Sequence, residues 1–298
     1  MRLAITGGTG FVGRRLIALA VEAGHEVRAL TRRVQASDQG VGWTVGALDD
    51  GDALAGLVDG AEAVIHVAGV VNAPDRAGFA AGNIDGTKAM LAAATAADVA
   101  RFVHVSSLAA REPELSNYGW SKAEAERLVE ASSLAWTIVR PPAVYGPGDL
   151  EMRDVFRAAR LGLAFLPPPG KISAIHVDDL ARLLLAVAEG GKPRTVYEAD
   201  DGHHWTHAQF GNAIGRAVGQ RVLPMHLPAP LLRLGAWIDG LIRGNGAKLT
   251  PDRVGYLTHP DWTATPALRP PAALWAPQVA LADGLADTAR WYRAHGLL

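Results

Sequence analysis

Along the first two thirds of the chain, short apolar runs alternate with longer stretches that are apolar at every third or fourth position. The runs Arg2–Thr6, 26–30, 43–46, 63–67, Arg101–Val105 and Trp136–Arg140 are short and bounded by turn residues, so each predicts a strand, a buried one for Arg2–Thr6. Between them Phe11–Glu22, 49–58, the alanine-rich 83–97 and 118–130 carry helical spacing, while 70–81 reads as irregular. Within 118–130, Ala125 and Val129 continue the face of Tyr118, and Glu124, Glu126 and Arg127 are expected mostly in solvent. Strand alternating with helix predicts an α/β fold built on a doubly wound parallel sheet.

The rhythm lapses at Pro141-Pro142. A loop at 145–149, an amphipathic helix at 151–161 and a proline-rich turn at 167–170 follow. The run 173–177 and a helix over 178–189, with Asp178 as its expected cap, then return to the first pattern, and Thr195–Glu198 reads as a seventh strand. Beyond residue 200 the helical stretches 206–218, 229–242 and 279–295 are joined by proline-rich connections. Residues 1–145 and 172–199 are thus expected to form one domain, and 146–171 with 200–298 a smaller, mostly helical part. The apolar segment 228–242, which includes Trp237, reads as a core or groove-lining helix, with a peripheral membrane contact as the alternative.

Composition narrows the classes. A formal charge of -1 over 298 residues leaves no basic footprint for nucleic acid. With no cysteine there are no disulfides and no thiolate metal sites. No apolar run reaches the roughly 20 residues of a membrane span. The first strand begins at Arg2, so no signal peptide is expected, and a cytoplasmic location follows as an expectation.

The first run opens through Thr6-Gly7-Gly8-Thr9-Gly10-Phe11-Val12-Gly13 into the first helix. Strand, glycine turn and helix in this order suit a dinucleotide. Gly7 permits the tight turn, Gly10 lets amide groups approach a diphosphate at the helix N-terminus, and Gly13 lets the helix press on the sheet. Past the second strand stands Thr31-Arg32-Arg33, where a carboxylate would select NAD. Two guanidiniums suit a 2′-phosphate instead, so NADP is expected first and NAD second. Leu48 is placed either to cover the adenine or to join the core. Ala68-Gly69 ends the fourth strand with small residues that admit a cofactor, and His66 within that run reads as a satisfied core histidine.

The fifth run delivers Ser106-Ser107 to the carboxyl edge of the sheet, and Tyr118-Gly-Trp-Ser-Lys122 follows on a helix. Residues at i and i+4 share a face, so phenol and ammonium can address one cleft. The lysine charge lowers the phenol pKa toward usable values. His203-His204-x-x-His207 lacks a second half and is not expected to bind metal, and Asp49-Asp50 and Asp178-Asp179 read as helix starts.

The glycine motif, Val105-Ser-Ser107, Tyr118-x-x-x-Lys122, Arg140-Pro-Pro-Ala-Val-Tyr-Gly-Pro-Gly148 and His176-Val-Asp-Asp179 together resemble the extended short-chain dehydrogenase/reductases. That group contains the NAD(P)-dependent epimerase/dehydratase proteins and the 3β-hydroxysteroid dehydrogenases. The resemblance implies a Rossmann-type seven-stranded sheet with a C-terminal substrate-binding part. It implies Tyr118 as acid/base, Lys122 as the partner that holds the nicotinamide ribose, and Ser107 as the group orienting the reacting oxygen. It further implies Thr6, Gly7, Gly10, Phe11, Val12 and Gly13 around the diphosphate, and Arg32 and Arg33 at the 2′-phosphate. Leu48, Ala68 and Gly69 fall on the adenosine side, Asn83 has an architectural role, and Pro141 and Val144 border the nicotinamide. A homodimer through sheet-flanking helices is implied as well.

Two departures stand out. Ala47 occupies the place where relatives carry an aspartate near the adenine, and only ten residues separate Ser107 from Tyr118, a shorter wall than in sugar epimerases. The expected activity is hydride exchange between NADP(H) and a carbonyl or hydroxyl carbon of a small, partly apolar substrate. A nucleotide-sugar epimerase or dehydratase with retained NAD(P) is one alternative, and a non-catalytic NADP-binding sensor or assembly factor is the other. Tyr145, Met152, Arg153, Phe156, Trp205, Met225 and Trp237 are the candidate pocket residues, or else pack the smaller part.

Overall fold

A computed structural model of the chain describes residues 1–36 and 40–298. Its backbone divides into two units, taken in turn. The first comprises Met1–Arg140, Leu180–Glu198 and Pro270–Ala276, and the second Pro141–Asp179, Ala199–Arg269 and Pro277–Leu298.

In the first unit β1 (Arg2–Thr6), β2 (Glu26–Thr31), β3 (Val41–Val45), β4 (Ala63–His66), β5 (Arg101–Val105), β6 (Trp136–Arg140) and the strand Thr195–Glu198 form one sheet. From one edge to the other the order is Thr195–Glu198, β6, β5, β4, β1, β2, β3, and every pairing is parallel. Chain order reverses between β1 and β4, so the turns that leave these two strands flank the crevice where open parallel sheets bind ligands. The helices are α1 (Phe11–Glu22), α2 (Gly51–Val58), α3 (Arg76–Phe79), α4 (Gly86–Ala96) and α5 (Asn117–Ala131). Ala4, Val64, Phe102 and Ile138 from the strands pack with Leu54, Leu57, Met90, Leu91 and Val129 from α2, α4 and α5. Leu16, Ile17 and Ala20 of α1 are likewise buried. Burial of each such side chain larger than alanine contributes about 1.5–3 kcal/mol.

Two local features differ from the sequence expectation. The segment read as irregular already becomes helical at Arg76, where Asp75 caps α3 by accepting from Gly78 N at 2.8 Å. A π-turn over Ala80–Asp85 then leads into α4. Gly78 and Gly82 weaken the helical signal there, although the capping aspartate was visible. Glu126, expected in solvent, is buried. Asp50 caps α2 by accepting from Ala53 N at 3.0 Å.

The second unit holds two short strand pairs and a three-stranded sheet of two-residue strands instead of a large sheet. Ala143–Tyr145 runs parallel to Ala174–His176, and Leu163–Leu166 parallel to Leu223–His226. Its core gathers Tyr145, Phe156, Phe210, Ile214, Leu285 and Tyr292 around the helices His207–Val218 and Leu281–Ala294. Tyr145 and Phe156, two of the candidate pocket residues, are fully buried in that core. The helix Val177–Gly190, which from Leu180 onward belongs to the first unit, takes Asp178 into its first turn, and the buried Asp179 carboxylate accepts from Gln278 N at 2.8 Å and Val279 N at 3.0 Å. Among the described residues no group of three or more His, Asp or Glu is placed to hold a metal, and no helix is long and apolar enough to cross a membrane.

Candidate active site

In the first unit the turn after β1, the exit of β4 and the N-terminal part of α5 meet at the carboxyl ends of the strands. Gly7 has φ of 72°, and a Cβ there would lie 2.7 Å from Ala68 N, so both the fold of the turn and its approach to β4 demand glycine. Gly10 N closes the turn on Gly7 O at 2.9 Å. A Cβ on Gly13 would run into Gly7 O and lie 2.7 Å from Gly7 C. The first turn of α1 has no capping side chain and no acidic residue. Its amides and the positive end of the helix dipole are thus left for an anion, and a dinucleotide diphosphate fits this cradle.

Thr6 supports the turn from beneath. Its hydroxyl accepts from Ala68 N at 3.2 Å and lies 2.8 Å from His66 Nδ1. On the other side of the ring, Nε2 is 3.2 Å from the Thr87 hydroxyl, which donates to Asn83 O at 2.6 Å. With the Thr87 proton spent on that carbonyl, the network assigns the imidazole proton to Nε2. Burial, with Lys122 adding to it, lowers the His66 pKa to about 3. Its neighbour in register on β5, His104, stacks on it with ring centroids 5.6 Å apart and is likewise buried and neutral.

Around this crevice the remaining predicted cofactor residues take distinct places. Arg32 and Arg33 are exposed beyond β2 on a loop held by the Thr31 hydroxyl, which donates to Arg33 O at 2.7 Å. Leu48 is half-buried at the margin of the core, so close to Gly86 that a Cβ there would lie 2.6 Å from it. Asn83 is buried, accepts from Val70 N at 2.7 Å, and donates to Val70 O at 3.0 Å and to Ser121 Oγ at 2.9 Å. It therefore ties the exit of β4 to α5. A Cβ on Gly69 would lie 2.8 Å from Asn83 Oδ1 and 3.6 Å from Lys122 Nζ. Pro141 and Val144 belong to the second unit.

The helix α5 starts at Ser116, whose Oγ accepts from Gly119 N at 2.9 Å. Gly119 allows this end of α5 to sit on the single turn Leu108–Arg111, since a Cβ there would lie 2.7 Å from Ala109 O. Tyr118 is half-buried with its ring 6.2 Å from that of Phe79. One turn on, Lys122 is 5% exposed and donates from Nζ to Val105 O at 2.8 Å. Burial lowers its pKa to about 8, opposed by the negative charge of Glu126. The Glu126 carboxylate accepts from Arg140 Nε at 2.8 Å and from Nη2 at 2.5 Å. This fork from the end of β6 is why the carboxylate tolerates burial. Arg140 also reaches the buried Glu198 at 3.4 Å, and Arg111 meets Glu198 at 3.2 Å.

Ser107 is half-buried and accepts from Ala109 N at 3.2 Å, capping the short turn that fills the Ser107–Tyr118 connection. Ser106 is buried, and its Oγ has no partner among the described residues. Ser121, Glu126, Arg140 and Glu198 are the members of this neighbourhood that the sequence reading passed over. Their signals were modest: a polar residue inside Tyr118-x-x-x-Lys122, an acid at i+4 from Lys122, and charges ending two adjacent strands.

Comparison with known proteins agrees with this geometry. The NAD(P)H-binding family model matches residues 7–189. The ceramide reductase of Caulobacter vibrioides is 39% identical, covering 99% of this chain and 96% of that protein. A ketoreductase of Stigmatella aurantiaca that acts on 4-hydroxy-2-methyl-3-oxo-4-farnesyl-3,4-dihydroquinoline-1-oxide is 32% identical over 68% of this chain and 69% of its own. Among solved structures, a dTDP-glucose 4,6-dehydratase from Streptomyces venezuelae with NAD bound superposes with a TM-score of 0.75 over 100% of both chains, at 22% identity. The chain belongs to the NAD(P)H-binding family of Rossmann-fold proteins. Within it, the protein is an NAD(P)-dependent enzyme of the extended short-chain dehydrogenase/reductases.

Proposed function

We propose that the protein is an NADP(H)-dependent ketoreductase acting on a ketone attached to a long apolar chain, with Tyr118 as the acid/base. The observation that carries the reading is Lys122: an ammonium almost fully buried beside Gly69 and fixed to Val105 O, one helical turn beyond a tyrosine. Holding a lysine there is costly, and chemistry at the neighbouring phenol accounts for it. The substrate class is supported by the two reductases at 39% and 32% identity, which are named for a ceramide and a farnesylated quinoline oxide. The exposed Arg32 and Arg33 support NADP over NAD.

The amides of the turn from Gly7 to Gly13 would hold the diphosphate, Arg32 and Arg33 the 2′-phosphate, and Lys122 the nicotinamide ribose. A nicotinamide dinucleotide, when bound, supplies the hydride to the carbonyl carbon. Tyr118 delivers its phenolic proton to the carbonyl oxygen as that oxygen gains charge, and the Lys122 ammonium stabilises the resulting phenolate until solvent reprotonates it. Ser107 keeps a hydroxyl proton available to orient the same oxygen. Aligning the reactants contributes about 7–11 kcal/mol, and proton transfer by the tyrosine roughly 10²–10⁴-fold.

The test is Tyr118→Phe, assayed by NADPH oxidation with a panel of long-chain ketones. NADPH affinity should stay unchanged, while kcat falls by roughly 10²–10⁴-fold. Full turnover by the variant removes Tyr118 from the chemistry. Product formation by the wild-type protein without net NADPH consumption replaces the reductase with an epimerase or dehydratase.

A further inference from the structure

The helix Ala229–Arg243 in the second unit buries one narrow seam. Leu232 and Ala236 pack against Val254, with Leu227 and Leu249 alongside. On the opposite side Leu231, Leu234, Trp237, Ile238, Leu241 and Ile242 are exposed, Trp237 by 62% and Ile242 by 76%. Their spacing of three, three, one, three and one places them on a single broad face, where a surface helix normally carries charge. The strand leading into the helix also exposes Leu223 and Met225, and Phe165, paired with Met225, is half exposed.

Charge marks what this face meets. The one acid of the helix, Asp239, is turned to the backbone, accepting from Lys248 N at 2.7 Å and Leu249 N at 2.9 Å, and it also faces Arg243 at 3.3 Å. Arg233 is exposed on the flank of the apolar face and has no ion-pair partner among the described residues. From Arg221 to Arg253 five basic residues stand against two acidic ones, and with Asp154 and Glu151, which pair with Lys248 and Arg253, the region keeps a net of +1 in a chain whose formal charge is -1. An apolar face with tryptophan, flanked by the unpaired Arg233 and free of exposed acids, is complementary to an anionic lipid surface. Pairing this face with itself across a two-fold axis would instead oppose two net-positive segments.

We propose that the helix Ala229–Arg243 docks the protein on the surface of an anionic phospholipid bilayer. Its apolar side chains enter the boundary between headgroups and acyl chains, with Arg233 at the level of the phosphates. The helix is too short to span and lies in the plane of the interface. A long-chain ketone of the class proposed above partitions into such a bilayer. The inference nonetheless stands apart from that reading, because docking is measured without turnover.

The test is co-sedimentation of the full-length protein with phosphatidylcholine vesicles with and without phosphatidylglycerol. Binding to the phosphatidylglycerol vesicles is expected, weakening as salt rises. Leu234→Glu combined with Leu241→Glu should weaken it by more than about ten-fold, and Arg233→Gln by roughly five-fold, with circular dichroism and thermal midpoint unchanged. Absence of binding to the anionic vesicles overturns the proposal. So does binding that the double variant leaves intact. A wild-type dimer by light scattering that the double variant makes monomeric, without vesicle binding in either, assigns the face to a second copy of the chain and overturns it as well.

Discussion

Two regions of the molecule invert the ordinary arrangement of polar and apolar groups in opposite directions. Around α5 of the first unit, Asn83, Ser121, Lys122 and Glu126 are buried, each tied to a named partner. Along the helix Ala229–Arg243 of the second unit, six large apolar side chains stand in solvent with nothing of this unit covering them. Burying an ion is costly unless geometry supplies a partner, and the fork of Arg140 on Glu126 does so. Exposing six large apolar side chains along one face forfeits the burial that holds the rest of the core. Both departures lower stability relative to a conventional interior or surface. The first accompanies the chemistry proposed at Tyr118, and the second the bilayer contact proposed for this helix.

The largest break in this comparison should come from Gly13→Val. The added side chain has no room against Gly7, so the turn must open, with NADPH binding lost in a fluorescence titration and stability reduced by roughly 1–3 kcal/mol. Next comes acid. His66 is held to a pKa of about 3 and His104 well below its ordinary value, both mainly by burial. An unfolded histidine takes up a proton near pH 6.5, so below that pH the unfolded chain binds more protons than the folded one. For His66 this stability is complete above about pH 6.5 and drains as pH falls toward 3, by about 1.4 kcal/mol per pH unit, and His104 adds a loss of the same sign. Urea unfolding at a series of pH values should show this slope, and His104→Leu should remove the share of one histidine.

A smaller effect is expected for Arg32→Ser with Arg33→Ser. The KM for NADPH should rise by about ten-fold while that for NADH stays level, since only the 2′-phosphate loses its partners. An equal change for both cofactors would remove the arginines from phosphate recognition. Smallest of all, the vesicle-binding double variant at Leu234 and Leu241 should leave stability within about 0.5 kcal/mol of the wild type, because both side chains are already exposed. A large loss would place that face inside the folded core.

Much of the first unit could be read directly. Its six apolar runs became strands within a residue or two: five lie inside the sheet, where parallel strands covered on both faces must be continuously apolar, and the sixth, Val41–Val45, is a partly exposed edge. Gly7 and Gly13 could be read for the same kind of reason: no other residue fits the turn and the helix contact. The second unit was far less readable. Ala143–Tyr145 and Leu163–Leu166 are too short to display a period, and their partners lie far away in sequence. Pro270–Ala276 returns to the first unit without any compositional mark. Glu126 looked like one more solvated acid on α5 until Arg140 was found to fold onto it.

By itself, then, the order of residues determined the strand–turn–helix entrance, the parallel sheet and the spacing of Tyr118 and Lys122. Each of these is local or periodic, and local sterics and burial enforce it. Only the tertiary structure decided that Lys122 would lose its water, that Asn83 would bind the exit of β4 to α5, and that the apolar helix after residue 228 would turn its larger face outward. Those outcomes depend on which segments, remote along the chain, arrive on either side of a residue, and no neighbouring residue carries that information.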